Sequence, residues 1–166
     1  MKIFFGFLIL AFVASTASAQ AKHPTSASKP FIVKSKADID AMAKALAQQA
    51  GNVSRDIVAA KGMQTRVALF DDKKRENDMF ELHDSSDDIY YVLTGQATLA
   101  LGGELVEPTE ISPGEWRSKT VKGGNPFVVK KGDIVVVPRG TVHQRTVVKK
   151  GFSMILIKVF AETMKP

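Results

Sequence analysis

Short apolar segments alternate with turns along most of the chain. After Gly51, runs rich in β-branched and aromatic residues recur with a period close to two, and Gly, Pro and charged residues separate them. This pattern predicts strands over residues 55–59, 65–71, 78–83, 89–94, 97–101, 127–130, 133–137, 144–148 and 152–160. Many short strands, with turns about eight to twelve residues apart, are typical of an antiparallel sandwich or barrel. The prediction is therefore an all-β fold.

One amphipathic helix precedes the strands. Ser35 and Asp38 have the spacing of a capping box, and Gly51 suits the position after a last helical turn. The apolar residues that fall on one helical face are Ile39, Met42, Ala43, Leu46 and Ala50. We expect a helix over residues 35–51 whose apolar stripe packs against the outside of the strand domain.

The N-terminus has the pattern of a secretory signal peptide. Lys2 precedes an apolar run over residues 3–13, and residues 17–19 have the small-residue form that signal peptidase cleaves. The run is too short for a membrane anchor, which needs about twenty apolar residues. We expect residues 1–19 to be removed, residues 20–34 to form a mobile leader, and the mature chain to be extracellular or periplasmic, with no membrane attachment.

Composition excludes several kinds of chemistry. The chain of 166 residues has no cysteine, which excludes disulfide scaffolds, thiolate zinc sites, iron–sulfur clusters and a cysteine nucleophile. The net charge of +6 describes solubility and steering rather than a site. Because the basic pairs lie at predicted turns without interleaved aromatic residues, we expect no nucleic-acid partner.

A long segment between Gly102 and Asn125 contains no predicted strand. In a compact domain, a structureless segment of this length is either functional or poorly ordered. It carries Trp116, the only tryptophan, which could cover the mouth of a barrel, contact a ligand or be an exposed structural residue.

The residues that could carry chemistry flank this segment. Glu81 and His83 are two apart in a predicted strand, so their side chains leave the same face of the sheet. Asp88 follows across a turn, and a hairpin could return its carboxylate to that face. Pro138 and Gly140 fit a tight turn that would direct His143 back toward the sheet.

The second of these regions resembles a motif of the cupin superfamily. The second cupin motif has the form G-x5-P-x-G-x2-H, and Gly132, Pro138, Gly140 and His143 occupy all of its fixed positions. The resemblance extends over residues 55–160. It implies a cupin-type jelly-roll β-barrel over residues 52–166, with one N-terminal helix.

The first cupin motif, G-x5-H-x-H-x3–4-E-x6-G, is matched in part. His83 takes the second histidine position, Asp88 takes the glutamate position and Gly95 closes the motif at the right distance. Glu81 stands in place of the first histidine, and Arg75 stands in place of the opening glycine.

In this family the motif residues bind a divalent metal ion inside the barrel. The resemblance therefore implies Glu81, His83, Asp88 and His143 as metal ligands. Two imidazoles and two carboxylates are a harder and more anionic set than the usual three histidines and one glutamate. This favours Fe(II) or Mn(II) and leaves zinc and nickel open. Without Glu81, the other three would form the two-histidine, one-carboxylate set of non-haem iron oxygenases.

Two functions from different classes are open at this point. The first is a secreted metal-dependent enzyme acting on a small organic molecule, of oxygenase, lyase or isomerase type, in which Glu81 or Asp88 moves a proton. The second is a non-catalytic module that binds a sugar or another small ligand, with a structural metal or none. In a barrel that has lost the metal, Glu81 would pair with an arginine and His143 would be hydrogen-bonded in the core. The cupin fold hosts both classes. Cupins often dimerise through sheet edges, so a homodimer is a further expectation.

Overall fold

The computed structural model describes residues 31–59, 61–149 and 151–162. The predicted signal peptide, and the predicted leader up to residue 30, lie outside the described residues; residues 31–34 of that leader form neither helix nor strand. In the part of the chain that the structure describes, no helix has the length and apolar character needed to cross a membrane.

The helix, α1, covers Lys36–Ala47. Ser35 is its N-cap and forms the predicted capping box with Asp38, because each side chain bonds the backbone N–H of the other. The helix ends four residues before Gly51, which the sequence had suggested as its end. Leu46 is the last buried side chain, and the N–H of Gln49 turns back to the Leu46 carbonyl at 2.9 Å. Residues 48–51 are exposed.

The nine predicted strands are confirmed, with shifted ends at several of them. The strand predicted over residues 144–148, for example, covers His143–Thr146, and Val147 makes only an isolated bridge to Arg75. The strands are β1 (Val53–Val58), β2 (Thr65–Asp72), β3 (Phe80–His83), β4 (Ser86–Thr94), β5 (Gln96–Leu101), β6 (Glu104–Val106), β7 (Thr109–Ser112), β8 (Glu115–Ser118), β9 (Thr120–Lys122), β10 (Asn125–Lys130), β11 (Ile134–Val137), β12 (His143–Thr146) and β13 (Phe152–Phe160).

The segment between Gly102 and Asn125 is not a loop. It forms β6 to β9, of which β8 pairs with β3 and β6 pairs with β9. The sequence did not reveal these strands because they are three or four residues long and β7, for example, is exposed along its whole length, so they lack an apolar alternation. Two of the pairings, β6 with β9 and β7 with β8, lie within the segment, and β8 also pairs with β3 outside it.

Two antiparallel sheets enclose the core. One has the strand order β1-β2-β13-β4-β11, and the other has the order β10-β5-β12-β3-β8-β7. Both contribute inward-facing side chains to one cluster, which includes Val92, Leu99, Val129, Phe152 and Met154. A core built from the inner faces of both sheets is expected for a barrel whose sheets pack face to face. This confirms the predicted all-β jelly roll with one N-terminal helix.

Gly95, which closes the first motif, makes the turn between β4 and β5. Its φ of +70° lies in the left-handed region that favours glycine. A Cβ atom there would also lie 2.6 Å from the carbonyl oxygen of Gly151. Glycine is therefore required both by the turn and by the close approach of a second backbone segment.

Candidate metal centre

The two histidines meet on neighbouring strands of the six-stranded sheet. His83 ends β3 and His143 begins β12, and β12 pairs with β3 so that His143 lies opposite Glu81. The imidazole centroids are 5.0 Å apart, and each residue is only 5% exposed. The turn at Pro138 and Gly140 thus delivers His143 into the barrel interior, as the second motif predicts.

The His143 ring is held by one nitrogen and leaves the other without a partner. Its Nδ1 lies 2.9 Å from the carbonyl oxygen of Thr141 and donates to it, which places the lone pair on Nε2. Nε2 is buried and has no hydrogen-bond partner among the described residues. Burial lowers the pKa of His143, against the opposing effects of the Thr141 carbonyl and Glu81. A buried, unpartnered ring nitrogen is the arrangement that a metal ligand requires.

Glu81 lies beside the histidines. Its Oε2 is 3.7 Å from His83 Nε2 and 3.3 Å from a terminal guanidinium nitrogen of Arg117. Glu81, His83 and His143 each offer a ligand atom, and these atoms lie within 4.8 Å of one another.

Asp88 faces both imidazoles from the other sheet. Its Oδ2 lies 3.5 Å from His83 Nε2 and 3.8 Å from His143 Nε2. Lys158 pairs its charge with the other carboxylate oxygen at 2.9 Å, and the Tyr90 hydroxyl lies 3.3 Å from Oδ2. Burial raises the pKa of Asp88, but the neighbouring His83 and the charge of Lys158 outweigh it and lower this pKa to about 2. Asp88 is not a member of the three-residue group above.

These separations suit a shared divalent ion. Ligand atoms about 2.1 Å from one ion are about 3.0 Å apart at octahedral angles and about 3.4 Å apart at tetrahedral angles. Three of the separations between Nε2 atoms and carboxylate oxygens are 3.5, 3.7 and 3.8 Å, and the ligand atoms of His143 and Glu81 lie within 4.8 Å of each other. They are too long for hydrogen bonds, so a small contraction would bring the atoms to ligand spacing. The residues therefore fit a metal ion.

Two residues of β8 complete the site, and the sequence did not identify them. Glu115 Oε2 accepts a hydrogen bond from His83 Nδ1 at 2.6 Å. Arg117 lies between Glu81 and Glu115, 3.3 Å from an oxygen of each. The only signal in the sequence is the spacing of the charged residues 115 and 117, which share a face if they lie in a strand. The sequence predicts no strand there.

A cavity of about 420 Å³ opens beside this cluster. Phe70, Ile111, Leu156 and Phe160 give it an apolar part. Its charged lining residues are Arg66, Arg75, Asp78, Glu81, Asp88, Glu115, Arg117, Arg145 and Lys158. The cavity has the size of a small-molecule site.

Trp116 does not line this cavity. Its side chain lies on the opposite face of β8 from Glu115 and Arg117, where its indole N–H donates to Asp84 Oδ2 at 2.7 Å. It borders a separate, shallow cavity with Leu82 and Leu105. The suggestion that Trp116 covers the barrel mouth is therefore wrong, because the register of β3 with β8 directs the tryptophan away from the interior.

Comparison with known proteins gives the fold. No protein-family model matches the sequence, and no curated protein matches it. A conserved protein with a double-stranded β-helix domain from Klebsiella pneumoniae is similar, with a TM-score of 0.51, 13% identity, and coverage of 74% of this chain and 90% of that one. At this identity the likeness concerns the fold alone.

Two further solved structures are similar at a TM-score of 0.48. KdgF from a Halomonas species has 15% identity, over 68% of this chain and 82% of that chain. A cupin superfamily protein from Desulfitobacterium hafniense has 16% identity, over 68% and 81%. The two antiparallel sheets and the likeness to the Klebsiella pneumoniae protein identify the fold: the chain is a double-stranded β-helix barrel, the fold that the sequence resemblance implies.

Proposed function

We propose that this chain is a metal-dependent enzyme that acts on a small organic molecule in the barrel cavity. The observation that carries the proposal is the buried Nε2 of His143, which has no partner among the described residues and faces a second imidazole and carboxylates. The proposed ligands are Glu81, His83 and His143, with Asp88 adjacent as a fourth. Oxygen and imidazole donors favour Fe(II) or Mn(II), with zinc and nickel as alternatives.

The bound ion would supply a Lewis acid that polarises a substrate oxygen. Glu81 is the better placed carboxylate to exchange a proton with substrate and solvent, because its side chain is 37% exposed. Asp88 is 3% exposed and is kept anionic by Lys158. Its role is to hold negative charge beside the two histidines, so that a cation is stabilised there.

Metal analysis tests this proposal. Purified chain loaded without oxygen with Fe(II), Mn(II), Zn(II) or Ni(II) is expected to retain about one ion per chain after desalting, measured by mass spectrometry of the metal. His143→Ala should lose that ion, because it removes the unpartnered nitrogen. His23→Ala replaces the remaining histidine, which lies outside the described residues, and should keep it. A wild-type chain that retains none of these metals would contradict the proposal.

One observation favours the second candidate function, non-catalytic binding of a sugar or another small ligand. Both candidate proton-transfer groups are in ion pairs, Glu81 with Arg117 at 3.3 Å and Asp88 with Lys158 at 2.9 Å. Metal-loaded protein incubated with a panel of small organic molecules separates the two functions. Product formation that His143→Ala abolishes supports the enzyme. Saturable binding without product, unaffected by a chelator, supports the module.

We also propose that the mature chain is exported. The support is the apolar run over residues 3–13 followed by the small residues 17–19. N-terminal sequencing of the mature protein, isolated from the periplasm or medium, is expected to begin at Gln20. Recovery of only the uncleaved chain inside the cell would contradict export.

A further inference from the structure

Strand β8 lies directly against the ligand-bearing end of β3. In this antiparallel pair His83 lies opposite Glu115, and Glu81 lies opposite Arg117. Directly opposed residues on one sheet face have side chains within contact distance. Each proposed ligand of β3 therefore has a charged neighbour from β8 on the inner face of the barrel.

Glu115 determines which nitrogen of His83 carries the proton. A carboxylate only accepts hydrogen bonds, so the contact of 2.6 Å between His83 Nδ1 and Glu115 Oε2 requires the proton on Nδ1. In the neutral ring this leaves the lone pair on Nε2, which faces Glu81 and Asp88 at 3.7 and 3.5 Å. The Thr141 carbonyl does the same for His143. Both rings thus direct Nε2 toward one point.

Arg117 holds the two carboxylates of this arrangement. One of its terminal nitrogens lies 3.3 Å from Glu81 Oε2 and 3.3 Å from Glu115 Oε2. Its other terminal nitrogen donates to the Trp116 carbonyl at 2.8 Å, which fixes the plane of the guanidinium. The Arg117 side chain is 15% exposed, so solvent competes little with these contacts. The bridge keeps two like charges side by side.

We infer that Glu115 and Arg117 are positioning residues of the metal centre, a conclusion that rests on the proposed function. Glu115 orients His83 and fixes its proton on Nδ1, and Arg117 orients Glu81 and Glu115 together. Groups that hold a histidine ligand in this way typically contribute about 10- to 100-fold to metal affinity. The orientation of the proposed ligands on β3 therefore depends on β8, a strand that lies outside both cupin motifs.

Glu115→Gln tests the inference with little change of shape. The amide keeps the length of the side chain but removes the charge, and its NH2 group can face Nδ1 instead of its oxygen. Affinity for Mn(II), measured on the purified chain by competition with a chromophoric chelator, is expected to fall by about 10- to 100-fold. Glu104→Gln is the matched control, since Glu104 is exposed on β6 and should leave the affinity unchanged. Circular dichroism confirms that each variant is folded.

A second measurement does not depend on metal binding. Nitrogen-15 NMR of metal-free chain, at a pH where the ring is neutral, is expected to show His83 with its proton on Nδ1. In Glu115→Gln the Nε2-protonated form should appear. An unchanged tautomer, or an affinity within about twofold of wild type, would overturn the inference. If the wild type binds no metal, the proposed function fails, and the tautomer still decides whether Glu115 orients His83.

Discussion

Asp72→Ala is expected to lower the free energy of unfolding by about 3 kcal/mol, because it leaves buried positive charge without its counter-ion. Asp72 is fully buried at the end of β2. Arg145 Nε lies 2.9 Å from one of its oxygens and Arg75 lies 3.2 Å from the other. Urea denaturation of the purified variant measures the change.

The environment of Arg145 explains why the effect should be large. Its side chain is 11% exposed, and Asp72 is its only carboxylate partner among the described residues. Its guanidinium also packs over the rings of Phe70 and Phe152, at 5.3 and 6.0 Å from their centroids. Aromatic faces attract a cation but by less than a buried ion pair does. The substitution leaves Arg75 better compensated than Arg145, since Arg75 also pairs with Asp78.

Two further variants serve as comparisons: one removes the charge of Asp72 while keeping its shape, and the other removes an exposed aspartate. Asp72→Asn keeps an oxygen acceptor and should fall between wild type and Asp72→Ala. Asp40→Ala removes an aspartate whose ion pair with Lys36 is exposed on the helix, and should change stability by no more than about 0.5 kcal/mol. Equal effects at positions 72 and 40 would show that the buried pair contributes no more than a surface one.

The ion pair of Asp72 with Arg145 also shows a feature that could not be predicted from the sequence, the pairing of buried charges across the barrel. The fold followed from local signals: short apolar segments with a period close to two, the Gly and Pro residues between them and the spacing of Gly132, Pro138, Gly140 and His143. The partner of a buried charge depends on which strands face each other across the barrel, and β2 and β12 belong to different sheets. Neither the alternation nor the motif specifies that relation.

The site divides in the same way. Glu81 and His83 could be named because one strand places them on one face. The motif spacing also named Asp88, but the expected hairpin return to that face is wrong, because β4 belongs to the opposite sheet and Asp88 faces the histidines across the barrel. Glu115 could not be named, because β8 has no apolar alternation and its place in the sheet is set by its pairing with β3 and β7. The role of Lys158 was equally hidden. It occupies a position in a mainly apolar strand, where it lies opposite Asp88 in the register of β13 with β4.

Lys158→Met is the second substitution with a large expected effect. Lys158 is 8% exposed and lies 2.9 Å from Asp88 Oδ1 and 3.1 Å from the Ser86 hydroxyl. Methionine has a similar length without charge, so the change leaves Asp88 as a buried carboxylate facing two histidines. We expect the metal-free chain to lose about 3 kcal/mol of unfolding free energy. Lys130→Met, at an exposed position of β10, is the control and should change stability by less than about 0.5 kcal/mol.

The metal-loaded chain should respond differently to Lys158→Met, because the ion pair of Lys158 with Asp88 adjoins the proposed metal site. Lys158 and a bound cation both oppose the charge of Asp88, and two unit charges a few ångströms apart interact by about 1 to 4 kcal/mol, depending on screening. Removing the lysine should therefore strengthen Mn(II) binding by about tenfold, or about 1.4 kcal/mol. Binding and unfolding are linked, so Mn(II) should stabilise Lys158→Met more than wild type. Weaker binding in the variant would mean that Lys158 supports the site instead of competing with the ion for Asp88.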